Sequence, residues 1–380
     1  MEFQTKNSIE VNDSQRKEET SRTIVAIRFL LMVFIVFIHS NGVTSFWDEN
    51  GTEYFYNIPY VENIVILFFT QVLARCAVPL FFLISGYLFY LKNYSYPILL
   101  KKKAKSLLIP FILWPVLYLI LYTGKAALLH TDNPYSGLKL KEWISVFIGK
   151  YQWGTLPENP SLVFQFWYIR DLILLFIFSP ILKRILDKRS LLIVFLAIFI
   201  WMQKSNLCQK NAHQGICFFV LGMYFAKRNY YISDLDCISF KDLLIVLVIL
   251  CPLDLYFMIN DNKYSICHEF NVIAISILML KIGYWIQNRQ SFFSIQRSLA
   301  DYSFWLFALH QPLVQPLIIN VYKRYLIPTN MYRGGVYNRT FSYHVSNGHN
   351  LCWFRICSKE NFSKIIFLHD WRTIELELFT

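Results

Sequence analysis

Apolar residues come in long blocks along this chain, divided by short polar connections. The first block, Thr23 to Gly42 (TIVAIRFLLMVFIVFIHSNG), supplies the roughly 20 helical residues that a hydrocarbon core of about 30 Å requires. Val61 to Leu91 is longer than one crossing needs; Pro79 follows Arg75 closely, so the pattern predicts an interfacial first part, a kink, and a crossing from about Ala77 to Leu91. Further crossings are expected at Ser106 to Thr123, Leu162 to Leu182, Leu191 to Trp201, Gly215 to Ala226, Leu243 to Ile259, Phe270 to Ile286 and Tyr302 to Val321. A short surface helix is expected at Trp143 to Phe147. The fold class is thus an all-α polytopic membrane protein, a bundle of about nine to ten transmembrane helices.

Charge orients this bundle. Connections on one side hold 18 Lys and Arg, those on the other only 7 through residue 321, which puts the basic side and the amino terminus in the cytoplasm. Residues 1–22 read as a disordered cytoplasmic lead and 23–321 as the membrane domain. Residues 322–380 mix Arg, Asn, His and Ser with aromatics, contain no 18-residue apolar run, and read as a tail foreign to the fold; an ordinary disordered extension is the plainer view. Only 16% of residues are charged and 55% are hydrophobic, far from a soluble domain. The net charge of +12 is explained by the cytoplasmic connections rather than by a nucleic-acid face. The eight cysteines form no CxxC pair, so neither a zinc site nor a disulfide framework is indicated, and no metal is expected.

Two residues in the first block carry chemistry. A cation inside a membrane segment costs at least about 2.5 kcal/mol at the helix centre and tends to mark a working site. Arg28 and His39 are eleven residues apart, which returns a helix to within about 20° of its starting direction, so they share one face, about 16 Å apart along the axis. One helix then offers a fixed charge near one surface and a titratable base near the other. The plain alternatives are an arginine snorkelling to headgroups and an ordinary interfacial histidine.

Several stretches, taken together, resemble the membrane-bound acyltransferase 3 family: Arg28-x10-His39, Arg75-Cys-Ala-Val-Pro-Leu-Phe-Phe-Leu-Ile-Ser-Gly-Tyr87, Leu108-Ile-Pro-Phe-Ile-Leu-Trp114, Phe166-Trp-Tyr-Ile-Arg-Asp-Leu172, Phe218-Phe-Val-Leu-Gly222 and Tyr302-Ser-Phe-Trp-Leu-Phe-Ala-Leu-His310. The resemblance covers residues 22 to about 321 and looks closest to the surface-polysaccharide O-acetyltransferases. It implies transfer of an acyl group, usually acetyl from cytoplasmic acetyl-CoA, to a hydroxyl of a surface or lipid-linked polysaccharide such as O-antigen or capsule, in a bacterial inner membrane. Arg28 suits the phosphates or thioester region of the donor, and His39 suits deprotonation of the acceptor hydroxyl. Direct transfer and an acyl-histidine relay both remain open.

The remaining candidates each have a structural competitor. Arg75 would orient acceptor or stabilise an oxyanion, against a surface arginine at the outer interface. Trp167 and Tyr168 would stack on a sugar, against belt aromatics. Arg170 and Asp171, adjacent inside a crossing, would pair with other helices or serve the substrate. His310, before Gln311 and Pro312, is a site residue or a buried histidine bonded to a carbonyl. Ser85 and Gly86 read as close helix packing. A flippase or transporter for lipid-linked glycan is the rival function, although no repeat with paired broken helices is visible; an inactive allele with a truncated fold is the third reading.

Overall fold

The computed structural model describes residues 2–40, 45–47, 53–55, 60–92, 94–130, 133, 135–140, 142–144, 163–202, 210–259, 266–315, 317–318 and 321. Among these the architecture is a helical bundle, with one short exception. Helix α1 runs Glu2–His39. A hairpin follows, its strands Ser45–Trp47 and Glu53–Phe55 antiparallel with Phe46 opposite Tyr54. Next come α2 (Tyr60–Leu67), α3 (Ala77–Lys92), α4 (Tyr96–Lys103), α5 (Ile109–Leu129), α6 (Trp167–Lys188), α7 (Ser190–Met202), α8 (Lys210–Lys227), α9 (Phe240–Ile259), α10 (Ile266–Gln287), α11 (Gln290–Ala300) and α12 (Ser303–Leu309).

Five described helices are long and apolar enough to cross a membrane: Asp13–His39, Val61–Lys92, Tyr96–Leu128, Phe240–Ile259 and Ile266–Gln287. The chain is a multi-pass membrane protein. Four other expected crossings appear as α6, α7, α8 and α12 packed in the same bundle, but α6 carries Arg170, Asp171 and a basic end, α7 has only 13 residues, and α12 is short and passes into a wider turn. Of the expected helix at Trp143 to Phe147 only residues 143 and 144 are described, and they are helical. The tail expected to be foreign lies outside the described residues.

The polar lead was expected to be disordered; instead it is helical from Glu2 and continuous with the first crossing. The reason is docking. Arg16 pairs with Asp234, donates to Ser233 Oγ at 3.3 Å and sits 4.4 Å over the Tyr231 ring, whose hydroxyl donates to Asp13. Lys17 and Asp13 add an ion pair one turn apart at 2.6 Å.

Proline explains where the helices change pitch. Val61–Lys92 is one helical run that widens into a π turn over Phe68–Leu73, tightens to 3₁₀ at Ala74–Cys76 and resumes as regular α3 at Ala77, where the sequence pattern starts the crossing. Pro79 has no N–H to give the carbonyl of Arg75, one turn earlier, so the irregular pitch falls beside that residue. The last run widens in the same way at His310–Val314, around Pro312.

Small residues set the closest approaches. A Cβ at Gly86 would lie 2.0 Å from the Phe219 carbonyl oxygen, and one at Gly222 would lie 2.0 Å from that of Leu83. Helices α3 and α8 therefore touch backbone to backbone, as the packing reading of Gly86 expects. Gly283 of α10 makes room instead for a side chain of α1, since a Cβ there would lie 2.4 Å from Ile27 Cγ2, next to Arg28. Phe82, Phe176, Phe219, Leu31 and Met223 fill the fully buried centre.

A polar cluster joins α9 to α10. Asp254 is fully buried; His268 Nδ1 lies 3.0 and 3.1 Å from its two oxygens, and Asn271 Nδ2 donates to it at 2.8 Å. Cys251 Sγ donates to Asn271 Oδ1 at 3.3 Å. Charge buried in this way is tolerated because each carboxylate oxygen has a partner.

Candidate active site

Arg28 and His39 meet the same cleft. Their helix contributes Arg28, Met32, Ile35 and His39 to its wall, residues that recur at the spacing of one helical face. The opposite walls come from α3 through Val78 and Phe81, from the turn into α6 through Gln165, Trp167 and Tyr168, and from α12 through Ser303, Phe304 and Phe307. The space amounts to about 690 Å³ including its open mouth. Arg28 is buried at 4% exposure although it carries a permanent charge, so the snorkelling alternative does not describe it. Between this cation and the imidazole the wall is mostly hydrocarbon, a setting in which fixed charges act strongly.

Helix packing aims the aromatic wall. Tyr168 stands edge-on to Phe82 at 4.8 Å and to Phe307 at 6.2 Å, and Phe166 stacks on Phe307 at 5.4 Å. Aromatic pairs of this kind favour such offset and edge geometries. Trp167 and Tyr168 both line the cleft.

His310 is fully buried, and its ring centre lies 5.2 Å from that of His39. Its Nδ1 donates to the Phe307 carbonyl at 2.7 Å, which leaves Nε2 with a lone pair; no described group hydrogen-bonds to Nε2. Pro312 cannot donate to the Ala308 carbonyl, and that oxygen instead accepts from Tyr118 Oη and Gln165 Nε2, both at 3.0 Å. Gln315 in turn donates its carboxamide to the His39 carbonyl. The break at Pro312 is in this way bonded to both sides of the cleft.

Arg75 lies within electrostatic reach of His39, and its Nε donates to Gln71 Oε1 at 3.1 Å from the π turn. It does not line the cleft itself. Arg170 and Asp171 pair with each other at 2.8 Å, and neither is among the residues that line the cleft. The sequence reading did not pick out Gln71, Gln165 or Ser303, nor the Asp254, His268 and Asn271 cluster. Asp254 and Asn271 lie in strongly apolar runs, and that setting was the available signal.

Arg28 and His39, a cation and an imidazole, thus face one internal cleft of a helical membrane bundle. The family model for an acyltransferase domain, that of the acyltransferase 3 family, matches residues 23–337, and the chain belongs to this family of acyltransferases. The chain is similar to the succinoglycan biosynthesis protein ExoH of Rhizobium meliloti (strain 1021), with 25% identity over 313 residues that cover 77% of this chain and 78% of that protein. No solved structure matches it.

Proposed function

We propose that the protein moves an acetyl group from cytoplasmic acetyl-CoA to a hydroxyl of a surface or lipid-linked polysaccharide, working in a bacterial inner membrane as a bundle of nine or ten crossings. The observation that carries this reading is the shared cleft of Arg28 and His39. The similarity to a succinoglycan biosynthesis protein supports a glycan as acceptor.

In this reading Arg28 meets the phosphate-bearing part of the donor, which enters from the basic side, and the thioester reaches the level of His39. The acceptor oxygen attacks the thioester carbonyl as His39 takes its proton; the tetrahedral oxyanion forms near Arg75; collapse breaks the carbon–sulfur bond and returns the proton to the departing thiolate. The products are the glycan acetate ester and free CoA. Trp167 and Tyr168 stack on the sugar.

The test is transfer of labelled acetyl from acetyl-CoA to purified polysaccharide, with wild type beside His39→Ala, together with the O-acetyl content of cell-surface polysaccharide by NMR. Loss of label with His39→Ala supports the reading. A protein that moves glycan across vesicles without acetylating it overturns the reading in favour of a transporter.

A further inference from the structure

Between Arg28 and His39 the cleft wall is apolar apart from a few groups, and two of these have hydrogen-bonding capacity to spare. Ser303 is 3% exposed and belongs to the residues that line the cleft, and no described group hydrogen-bonds to its buried Oγ. Gln165 is 1% exposed. Its Nε2 is committed to the Ala308 carbonyl, a bond only the amide nitrogen can make, and this leaves Oε1 as an acceptor at the other end of the carboxamide. A buried hydroxyl without a partner is uncommon and costly, and where it borders a cleft a ligand atom is the natural partner.

The chemistry of the two groups selects the ligand. A serine hydroxyl can donate to a carbonyl, and a glutamine oxygen can accept from an N–H. A secondary amide presents one of each. Depth is the second constraint. Ser303 precedes His310 by seven residues of regular helix, about 10 Å at 1.5 Å per residue, while Arg28 stands about 16 Å from His39 on the neighbouring helix. Since His39 and His310 lie side by side, Ser303 falls between the two ends of the cleft, on the Arg28 side of its middle. A donor extended between a phosphate at Arg28 and a thioester at His39 presents the secondary amides of its pantetheine arm across this interval.

We propose that Ser303 and Gln165 form a subsite for a secondary amide of the donor arm. The inference rests on the thioester-donor reading above. Recognition of this kind raises affinity for the arm without entering the chemical step, so its signature lies in KM for the donor.

The experiment compares wild type and Ser303→Ala, as full-length protein in lipid vesicles, on two donors: acetyl-CoA and the acetyl-CoA analogue whose arm amides are replaced by methylene pairs. With acetyl-CoA, Ser303→Ala raises KM about three- to tenfold, the value of one net hydrogen bond, while kcat falls by less. With the analogue the two proteins have KM values within about twofold of each other. A second readout uses CoA alone: its stabilisation of the protein against heat is smaller in Ser303→Ala, whereas the melting temperature without CoA is unchanged or higher because the substitution removes an orphaned hydroxyl. A KM for acetyl-CoA that does not change, or KM values that rise equally for both donors, overturns the subsite. Wild type that takes no acetyl group from acetyl-CoA overturns the donor reading itself, an outcome seen without any Ser303 variant.

Discussion

His39 and His310 stand with ring centres 5.2 Å apart, one ending the first helix and the other opening the π turn of the last described run. The His310 ring is fixed by its bond to the Phe307 carbonyl, and its remaining nitrogen can only accept. That gives the two histidines unequal duties. His39→Ala is expected to lower transfer by about 10²- to 10⁴-fold, the usual contribution of a positioned base. His310→Phe keeps the ring volume and is expected to cost about tenfold; side-by-side acetyl-transfer assays check the ranking, which a larger loss for His310→Phe would reverse.

Arg75 is held by Gln71 one helical turn away. Gln71→Leu keeps the charge but releases its orientation, so kcat is expected to fall about tenfold, less than for Arg75→Ala. Steady-state kinetics on both variants tests this, and equal losses would mean that Gln71 does more than aim the guanidinium.

Pro312 leaves the Ala308 carbonyl to Tyr118 and Gln165. Pro312→Ala supplies an N–H that competes for that oxygen. Stability is expected to hold or rise while transfer falls, because the run past His310 relaxes toward regular helix. A thermal melt paired with an activity assay separates the two effects.

Asp254 is buried with His268 and Asn271 bound to it. Removing one partner of such a group costs about 3–5 kcal/mol. Asp254→Ala is therefore expected to lower the melting temperature sharply in detergent. Asp254→Asn, which retains the shape and an acceptor oxygen, is expected to lower it less.

Much of this could be read from the sequence, and the exceptions have physical causes. The shared face of Arg28 and His39 follows from eleven residues of helix, and both line one cleft. The packing role of Gly86 was also legible, since only a residue without a side chain admits a neighbouring carbonyl at that distance. Ser303 and Gln165 were not, because each is a single uncharged polar residue in an aromatic stretch and acquires meaning only when α12 comes to lie beside the turn into α6. His268 lies just before Phe270, where the sequence pattern starts that crossing. The helix in fact begins at Ile266, and the polar first turn that hid its start from a hydropathy reading is the turn that reaches Asp254. Arg170 and Asp171 drew attention as buried charges, yet neighbours in sequence can neutralise each other locally, as these two do.

The contact of Gly86 and Gly222 with facing carbonyls has a mechanical consequence. Helices riveted main chain to main chain leave no side-chain layer to shear, so α3 and α8 move as one beam. Whatever breathing admits a bulky sugar must be taken up by the aromatic-lined flank opposite this beam, where the wall is made of swivelling rings and a proline-loosened helix.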